Sequence, residues 1–561
     1  MSALAAAAHA FPTRRTPREQ RPSVVRMFRD QLGFAVRDLW RTRIAFIFTF
    51  LFPLVFLVVI GAMAGNETIS AGSTVRVMQF VTPSAAVMGA LYGAYPTIAS
   101  SLSDARERGV LKRVRGTPVP GWVHLAGRIG AAVLFALGSL ALMLVVGVIA
   151  YDVQIQWHTM PATAVTVLTA VTCFAALGVA VAGLVRSATV AQAVSIATAV
   201  ALSFVSGVMG YGDMPAWADR IAQVFPLKPF NDALGEQFDP FATGSGWDLG
   251  ALAVIGAWTA VAVAVAVPTF RWSPVPARTH RGRTDTTSAP SRPAPVARSN
   301  VRATAAGRPS LLALLGDQVR WATRSAVRDP GWVFFAIAMP AGLYAFNASV
   351  MGGQSADGSY SPPLGLQYAT GLIAWGTIVT MMINMPDAVA SARDRGILKR
   401  LRGTPLQVGI YFAGRFASAL LLVLATAALI LLTGMSWFDL EVAWSGLALA
   451  VGTLILGAAA LAACGMFLVS VLPSSKAVTA VALGLALPLA FFSDVFAIEA
   501  VPQWMSTAGA FFPLKHLANS VSYALDPAGP TVSWLGLGVM TTWLVVMGLL
   551  AARLFRWSAR T

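Results

Sequence analysis

The sequence predicts an all-α polytopic membrane protein made of two tandem six-span halves. Three observations carry this: a charge content too low for a soluble surface, long uncharged runs, and an internal repeat. Of 561 residues, 56% are apolar and only 12% are charged, whereas soluble domains carry roughly 25% charged residues. A bilayer core is crossed by a helix of about 20 predominantly apolar residues. Ile44 to Ala64 and Val123 to Ala150 both meet that length.

The repeat shows most clearly in two polar segments. Ala105 to Pro118 reads ARERGVLKRVRGTP and Ala392 to Pro405 reads ARDRGILKRLRGTP, an offset of 287 positions with only conservative differences. The same offset carries Gly127-Arg128 onto Gly414-Arg415, Pro215 and Trp217 onto Pro502 and Trp504, and Phe225-Pro-Leu-Lys228 onto Phe512-Pro-Leu-Lys515. Spans are expected at about 44–64, 77–99, 123–150, 161–185, 188–210 and 247–270 in the first half. In the second they are expected at about 331–351, 366–386, 409–434, 444–471, 475–497 and 532–555. The chain then divides into a tail (1–22), a first half (23–272), a linker (273–309) and a second half (310–561). The linker is rich in Pro, Ser, Thr, Ala and Arg without helical periodicity, so it has too little apolar surface to fold.

The formal charge of +17 does not mark a nucleic-acid binder, because the bases lie between apolar spans and form no soluble basic domain. They follow the positive-inside pattern. Arg37 to Arg43, Arg106 to Arg115, Arg186, Arg271 to Arg308, Arg393 to Arg402, Lys476 and Arg553 to Arg560 fall on one side, which is expected to be cytoplasmic together with both termini. The other side carries acids such as Glu67, Asp152, Asp219, Asp232 and Asp526. With six spans each, the halves enter the membrane in the same sense, so their pseudo-two-fold runs along the membrane normal. Met1 to Ala10 is apolar before it is basic, the reverse of a secretory signal, so the first span is expected to act as the membrane signal. Cys173 and Cys464 both lie in apolar segments, which leaves no disulfide framework and no thiolate metal site.

The two polar repeats are the most informative segments. Asp104 with Glu107, and Ser391 with Asp394, have the spacing of an N-cap and its third-position acid. A short helix is expected from there, stopped by Gly116-Thr-Pro118 and Gly403-Thr-Pro405. Two such helices about a two-fold axis suit a two-fold symmetric partner. These segments resemble the coupling segment of type-2 ATP-binding-cassette (ABC) export permeases, an acid-Arg-Gly pattern followed by Leu, bases and Thr-Pro between spans two and three. The Phe-Pro-Leu-Lys segments are similar to that family's outer turn between spans five and six. The resemblance implies two type-2 ABC exporter transmembrane domains fused in one chain, as in some actinobacterial antibiotic exporters. It implies that Glu107, Arg108, Gly109, Lys112, Arg113 and Arg115, with Asp394, Arg395, Gly396, Lys399, Arg400 and Arg402, face two copies of a separate ABC ATPase.

No Gly-x-x-x-x-Gly-Lys-Ser/Thr phosphate loop occurs, so ATP and Mg are expected on that partner and no cofactor or metal on this chain. No metalloprotease, Cys-x-x-Cys or nucleophile-elbow motif occurs either, so the chain is not expected to be an enzyme. Before each first span lies an amphipathic segment, with Val25, Phe28, Leu32, Val36 and Leu39 at helical spacing in the first and a weaker counterpart over Leu311 to Arg328. The resemblance places the cargo path between the halves, along spans two and five. Span two offers Phe80, Met88, Tyr92 and Tyr95 against Tyr368, Trp375, Met382 and Asn384; span five offers Gln192, Ser195, Thr198 and Phe204 against Thr479, Phe491, Phe492 and Asp494. Met and aromatic side chains adapt to varied apolar cargo. The expected activity is export of amphipathic small molecules such as drugs, antibiotics or lipids across the plasma membrane. An ion-coupled secondary transporter with parallel repeats is the alternative, although the spans hold few ionisable residues besides Arg128, Arg415 and Asp494. A scaffold or sensor subunit without cargo is a third reading.

Overall fold

The computed structural model describes residues 23–41, 46–64, 67–68, 75–185, 187–208, 216–270, 272, 310–328, 333–351, 363–401, 403, 407–493, 495 and 502–557. The expected tail, the linker 273–309, Arg402 and Asp494 lie outside them. Helix α1 (Val24–Arg41) leads to a π-helical turn (Ile47–Leu51) and α2 (Phe52–Ala64), the first span. Span two is α3 (Met78–Glu107), followed by the short α4 (Val110–Arg115) and then by α5 (Gly121–Tyr151), α6 (Met160–Leu184) and α7 (Ala188–Val205). Two further helices, α8 (Ala216–Val224) and α9 (Leu227–Phe238), precede α10 (Leu249–Thr269).

The second half repeats the order: α11 (Leu311–Val327), a π turn (Phe334–Ala338) into α12 (Met339–Met351), then α13 (Leu364–Ile378) running through a π stretch (Val379–Asn384) into α14 (Met385–Asp394). The short α15 (Ile397–Leu401) follows, then α16 (Val408–Trp437), α17 (Leu447–Val471), α18 (Ser475–Phe492), α19 (Gln503–Gly509), α20 (Pro513–Ala524) and α21 (Trp534–Leu554).

Among the described residues, eight helices are long and apolar enough to cross a membrane. The other four expected spans are helical as well. Ile47–Ala64 and Phe334–Met351 adjoin segments outside the described residues, and α7 has the same 18 residues as α18. Helix α3 is long but holds Gln79, several hydroxyls and two prolines, and it is buried over most of its length. A helix enclosed by other helices does not face lipid and is free of the demand for continuous apolarity. Its counterpart from Leu364 to Asp394 is likewise mostly buried, whereas α10 and α21 on the periphery are apolar and largely exposed.

Each half packs its own core around span two. The halves meet reciprocally: α7 packs on α12, and α18 packs on α2. Phe491 of α18 meets Phe56 of α2 edge-on, with centroids 6.4 Å apart. Span two is irregular in both halves, by different means. Pro96 cannot donate to the Tyr92 carbonyl, and the Thr97 hydroxyl donates to it at 3.0 Å. In the second half the same region is the π stretch Val379–Asn384.

The amphipathic helices dock on protein. Ala35 and Leu39 are buried with Ala131 and Phe135 of α5, while Val25, assigned by periodicity to the same face, is 75% exposed. Glycine makes the close approach possible: a Cβ at Gly127 would lie 2.8 Å from Gln31 Cβ, and one at Gly414 would lie 2.6 Å from Gln318 Cβ. Gly127→Val and Gly414→Val are therefore expected to unseat α1 and α11 at a cost of about 1–3 kcal/mol each. Thermal unfolding of the purified variants checks this; an unchanged midpoint would refute the tight seat.

Candidate functional site

The two polar repeats do not fold as their capping spacing predicts. Asp104, Glu107, Ser391 and Asp394 lie in the last turn of span two, whose helix runs on to Glu107 and to Asp394. The chain turns at Gly109 and Gly396, with φ of 68° and 70°, in the left-handed region where only glycine is unstrained. The short helices α4 and α15 start beyond these glycines. The capping expectation therefore fails: Asp104 is already engaged by Arg108, at 2.7 Å, within the span-two helix. Helix α4 does stop at Gly116, where the Thr117 hydroxyl donates to the Val114 carbonyl at 2.6 Å.

What the loops hold is the adjoining ends of spans four and five. Arg106, 2% exposed, donates through its two terminal nitrogens to the carbonyls of Ala182 and Val185, both at 2.6 Å. Arg393 does the same to Val469 and Leu472, at 2.5 and 3.0 Å. These are orphan carbonyls at the C-terminus of α6 and α17, where the helix dipole favours a cation. One residue on, the acid turns to the next helix. The Ala188 amide at the start of α7 donates to Glu107 at 2.7 Å, and the Ser475 amide at the start of α18 donates to Asp394 at 2.7 Å. All these pairs obey the same 287-residue offset.

The remaining faces of the short helices are basic and exposed. Leu111 and Leu398 are fully buried anchors, while Lys112, Arg113, Arg115, Lys399, Arg400 and Arg108 point outward; Arg395 is exposed too but borders the cavity between the halves. Arg106 and Arg393 were missed as functional residues because periodicity does not separate them from the exposed arginines nearby. The available signal was their identity in both copies, one residue before the acid.

Between the halves lies a cavity of about 560 Å³. It brings together Tyr92, Gln192, Phe204, Trp375 and Asn384 of the expected path, with Thr479. The other described candidates pack elsewhere. Met88 and Tyr95 are buried in the first core, Tyr95 with its hydroxyl 2.8 Å from Thr198. Tyr368 and Met382 belong to the second core, and Met382 backs onto span four at Gly465. Phe491 closes on Phe56 and Phe492 on Trp504. Phe80 is half-buried on α3, away from the cavity lining, and Ser195 is buried with its hydroxyl on the Ala191 carbonyl. Sequence reasoning did not name Trp321, Asp387, Arg395 or Arg415 as cavity residues, yet all four line it.

At the opposite end, each Phe-Pro-Leu-Lys segment opens a short helix beside span six. Trp258 donates to the Val224 carbonyl at 2.7 Å and Trp543 to the Phe511 carbonyl at 2.9 Å. Burial opposes the charge of Lys228, but Asp232 at 2.9 Å and Asp219 at 3.4 Å outweigh it and hold its pKa above the ordinary lysine value.

Helices long and apolar enough to span a membrane are thus repeated about a shared interface and enclose a cavity. The family model "ABC-2 type transporter" matches residues 33–236 and 311–525. The chain belongs to that family, and carries its membrane domain twice. No curated protein matches it.

Breaking the arginine hold is expected to loosen the loop from spans four and five. Arg106→Ala and Arg393→Ala remove two charge-assisted hydrogen bonds each and should cost about 2 kcal/mol or more. Lysine, with one ammonium in place of a planar fork, should recover less than half. Thermal unfolding with limited proteolysis of the loop measures this; Arg113→Ala, on the exposed face, should change neither.

Proposed function

We propose that this chain is the complete membrane pore of an ATP-driven exporter, sited in the plasma membrane with both termini cytoplasmic. Two copies of a separate ABC ATPase dock on α4 and α15, and the cargo is an amphipathic small molecule such as a drug, an antibiotic or a lipid. The observation that carries the reading is the symmetric pair of contacts in which one loop grips the end of span four and the start of span five. A push on α4 or α15 thereby reaches the helices that pack across the interface between the halves. The exposed bases of the short helices suit an acidic partner surface. The cavity supports the cargo reading, since drug-sized pockets run from about 300 to 1,000 Å³ and are mostly apolar.

ATP binding between the partner subunits would draw the two short helices together, and the spans would rearrange around the cavity to open it on the far side. Cargo with a differential affinity for the two states would move with that cycle. Glu107→Ala combined with Asp394→Ala is expected to abolish ATP-driven efflux, and substrate-stimulated ATP hydrolysis with it, while the chain still inserts and co-purifies with its ATPase. Unchanged efflux in the double variant would remove the coupling role. Transport by proteoliposomes under an imposed proton gradient without ATP would replace this reading with secondary transport.

A further inference from the structure

The 287-residue offset allows each charged group of one half to be compared with its counterpart. In the first half, Arg108 is paired with Asp104 at 2.7 Å. Arg128 lies 3.7 Å from Asp38 and donates to His124 at 3.4 Å. Both arginines thus carry an aspartate partner. The equivalents of these arginines are Arg395 and Arg415, and the equivalents of both aspartates are serines, Ser391 and Ser325. The equivalence is structural as well as numerical, because α11 seats on Gly414 through Gln318 as α1 seats on Gly127 through Gln31.

All four second-half residues, Ser325, Ser391, Arg395 and Arg415, line the cavity between the halves. Among the described residues no carboxylate stands within ion-pair distance of Arg395 or Arg415. Arg415 is held by rings instead: its guanidinium lies 4.9 Å from the Trp321 centroid and 5.6 Å from that of Tyr411, and its Nε has no hydrogen-bond partner. The one acid among the described lining residues, Asp387, accepts from the Thr479 hydroxyl at 2.7 Å. Two bases against one acid give the described lining a positive balance. Apart from Gln192, Asn384 and Thr479, the rest of the lining is apolar, from Phe52, Tyr92 and Phe204 to Trp375 and Leu487.

We propose that Arg395 and Arg415 form the head-group site of this cavity, and that its cargo is an amphiphile with an anionic head and an apolar tail. A guanidinium presents a planar fork of donors that fits an oxyanion. Removing the aspartate partner from each arginine frees those donors for the ligand; Arg415 is partly buried, where charge attraction is weakly screened, and Arg395 stands exposed at the cavity's edge. The apolar lining receives the tail. This rests on the inter-half cavity being the cargo site. The anion is either a free amphiphile or a lipid of the leaflet, and the two present the same chemistry to the arginines.

The test uses the full chain in phosphatidylcholine nanodiscs and two tritiated probes that share one tail: dodecane sulfonate, which is anionic, and dodecane sulfonamide, which is neutral. Wild type is expected to bind the sulfonate about tenfold or more tightly than the sulfonamide. Ser325→Asp with Ser391→Asp, which restores both first-half partners, should bring the two affinities within about twofold and leave sulfonamide binding unchanged. Arg415→Gln should weaken sulfonate binding by a similar factor, and Arg415→Lys should retain a preference. Replacing half of the lipid with phosphatidylglycerol separates the sources. Competition that depends on Arg415 assigns the anion to a leaflet lipid, its absence assigns it to a free amphiphile, and both uphold the site. Equal binding of the two probes to wild type, or a preference that survives the paired aspartates, overturns the anion site and leaves the cavity reading standing. No saturable binding of either probe overturns both.

Discussion

Spans four and five meet at a sharp reversal, and the grip of one buried arginine on that reversal organises each half. Helix α6 ends at Leu184 and α7 begins at Ala188, so orphan carbonyls and orphan amides lie side by side. A helix end buried without partners is costly, and its polarity sets what can satisfy it: a cation for the carbonyls, an anion for the amides. The consecutive Arg106 and Glu107 supply one of each from the end of span two. Arg393 and Asp394 repeat the arrangement. Three membrane helices are thereby tied at one point, and the short exposed helix starts three residues beyond the acid, at Val110 or Ile397.

The tie has a geometric consequence for transport. Span five is the element each half lends to the other, through α7 on α12 and α18 on α2. In the proposed cycle, a displacement of the basic helix would be passed to span five at its first turn, and from there to the partner half. Span two, which carries the tie at its end, is also the helix whose regularity is interrupted, by Pro96 in one half and by the π stretch at Val379–Asn384 in the other. Interrupted helices bend at the interruption, and π-helical turns recur at functional sites. Tyr92, Val379, Ile383 and Asn384 sit at these interruptions and line the cavity.

Symmetry is strict at the tie and broken in the cavity. Arg106 with Glu107 and Arg393 with Asp394 hold equivalent partners, because any departure would leave helix ends unsatisfied. The cavity has no such constraint. Trp375 reaches it, whereas Met88 at the equivalent position is buried in the first core. Asp104 and Asp38 neutralise their arginines, while Ser391 and Ser325 leave theirs for other partners. A duplicated and fused chain can specialise its two walls separately, which a pore of two identical subunits cannot do.

The sequence by itself determined the class, the duplication and the parallel order of the halves. These follow from local quantities: charge content, apolar run length and a repeated string. Its reading of Asp104 and Ser391 as helix starts failed, since the spacing of an N-cap and its acid also fits the last turn of a long helix when Gly109 or Gly396 breaks the chain just beyond. Only the tertiary structure separated Arg106 from Arg108 and Arg113, because burial depends on the ends of span four, some eighty residues away. It alone decided which aromatic residues meet the cavity. Span two is enclosed on most sides, so apolar periodicity carries no sign of which face looks across the interface. That Arg395 and Arg415 both line that cavity is likewise a property of packing, invisible in a chain that places them twenty residues and one helix apart.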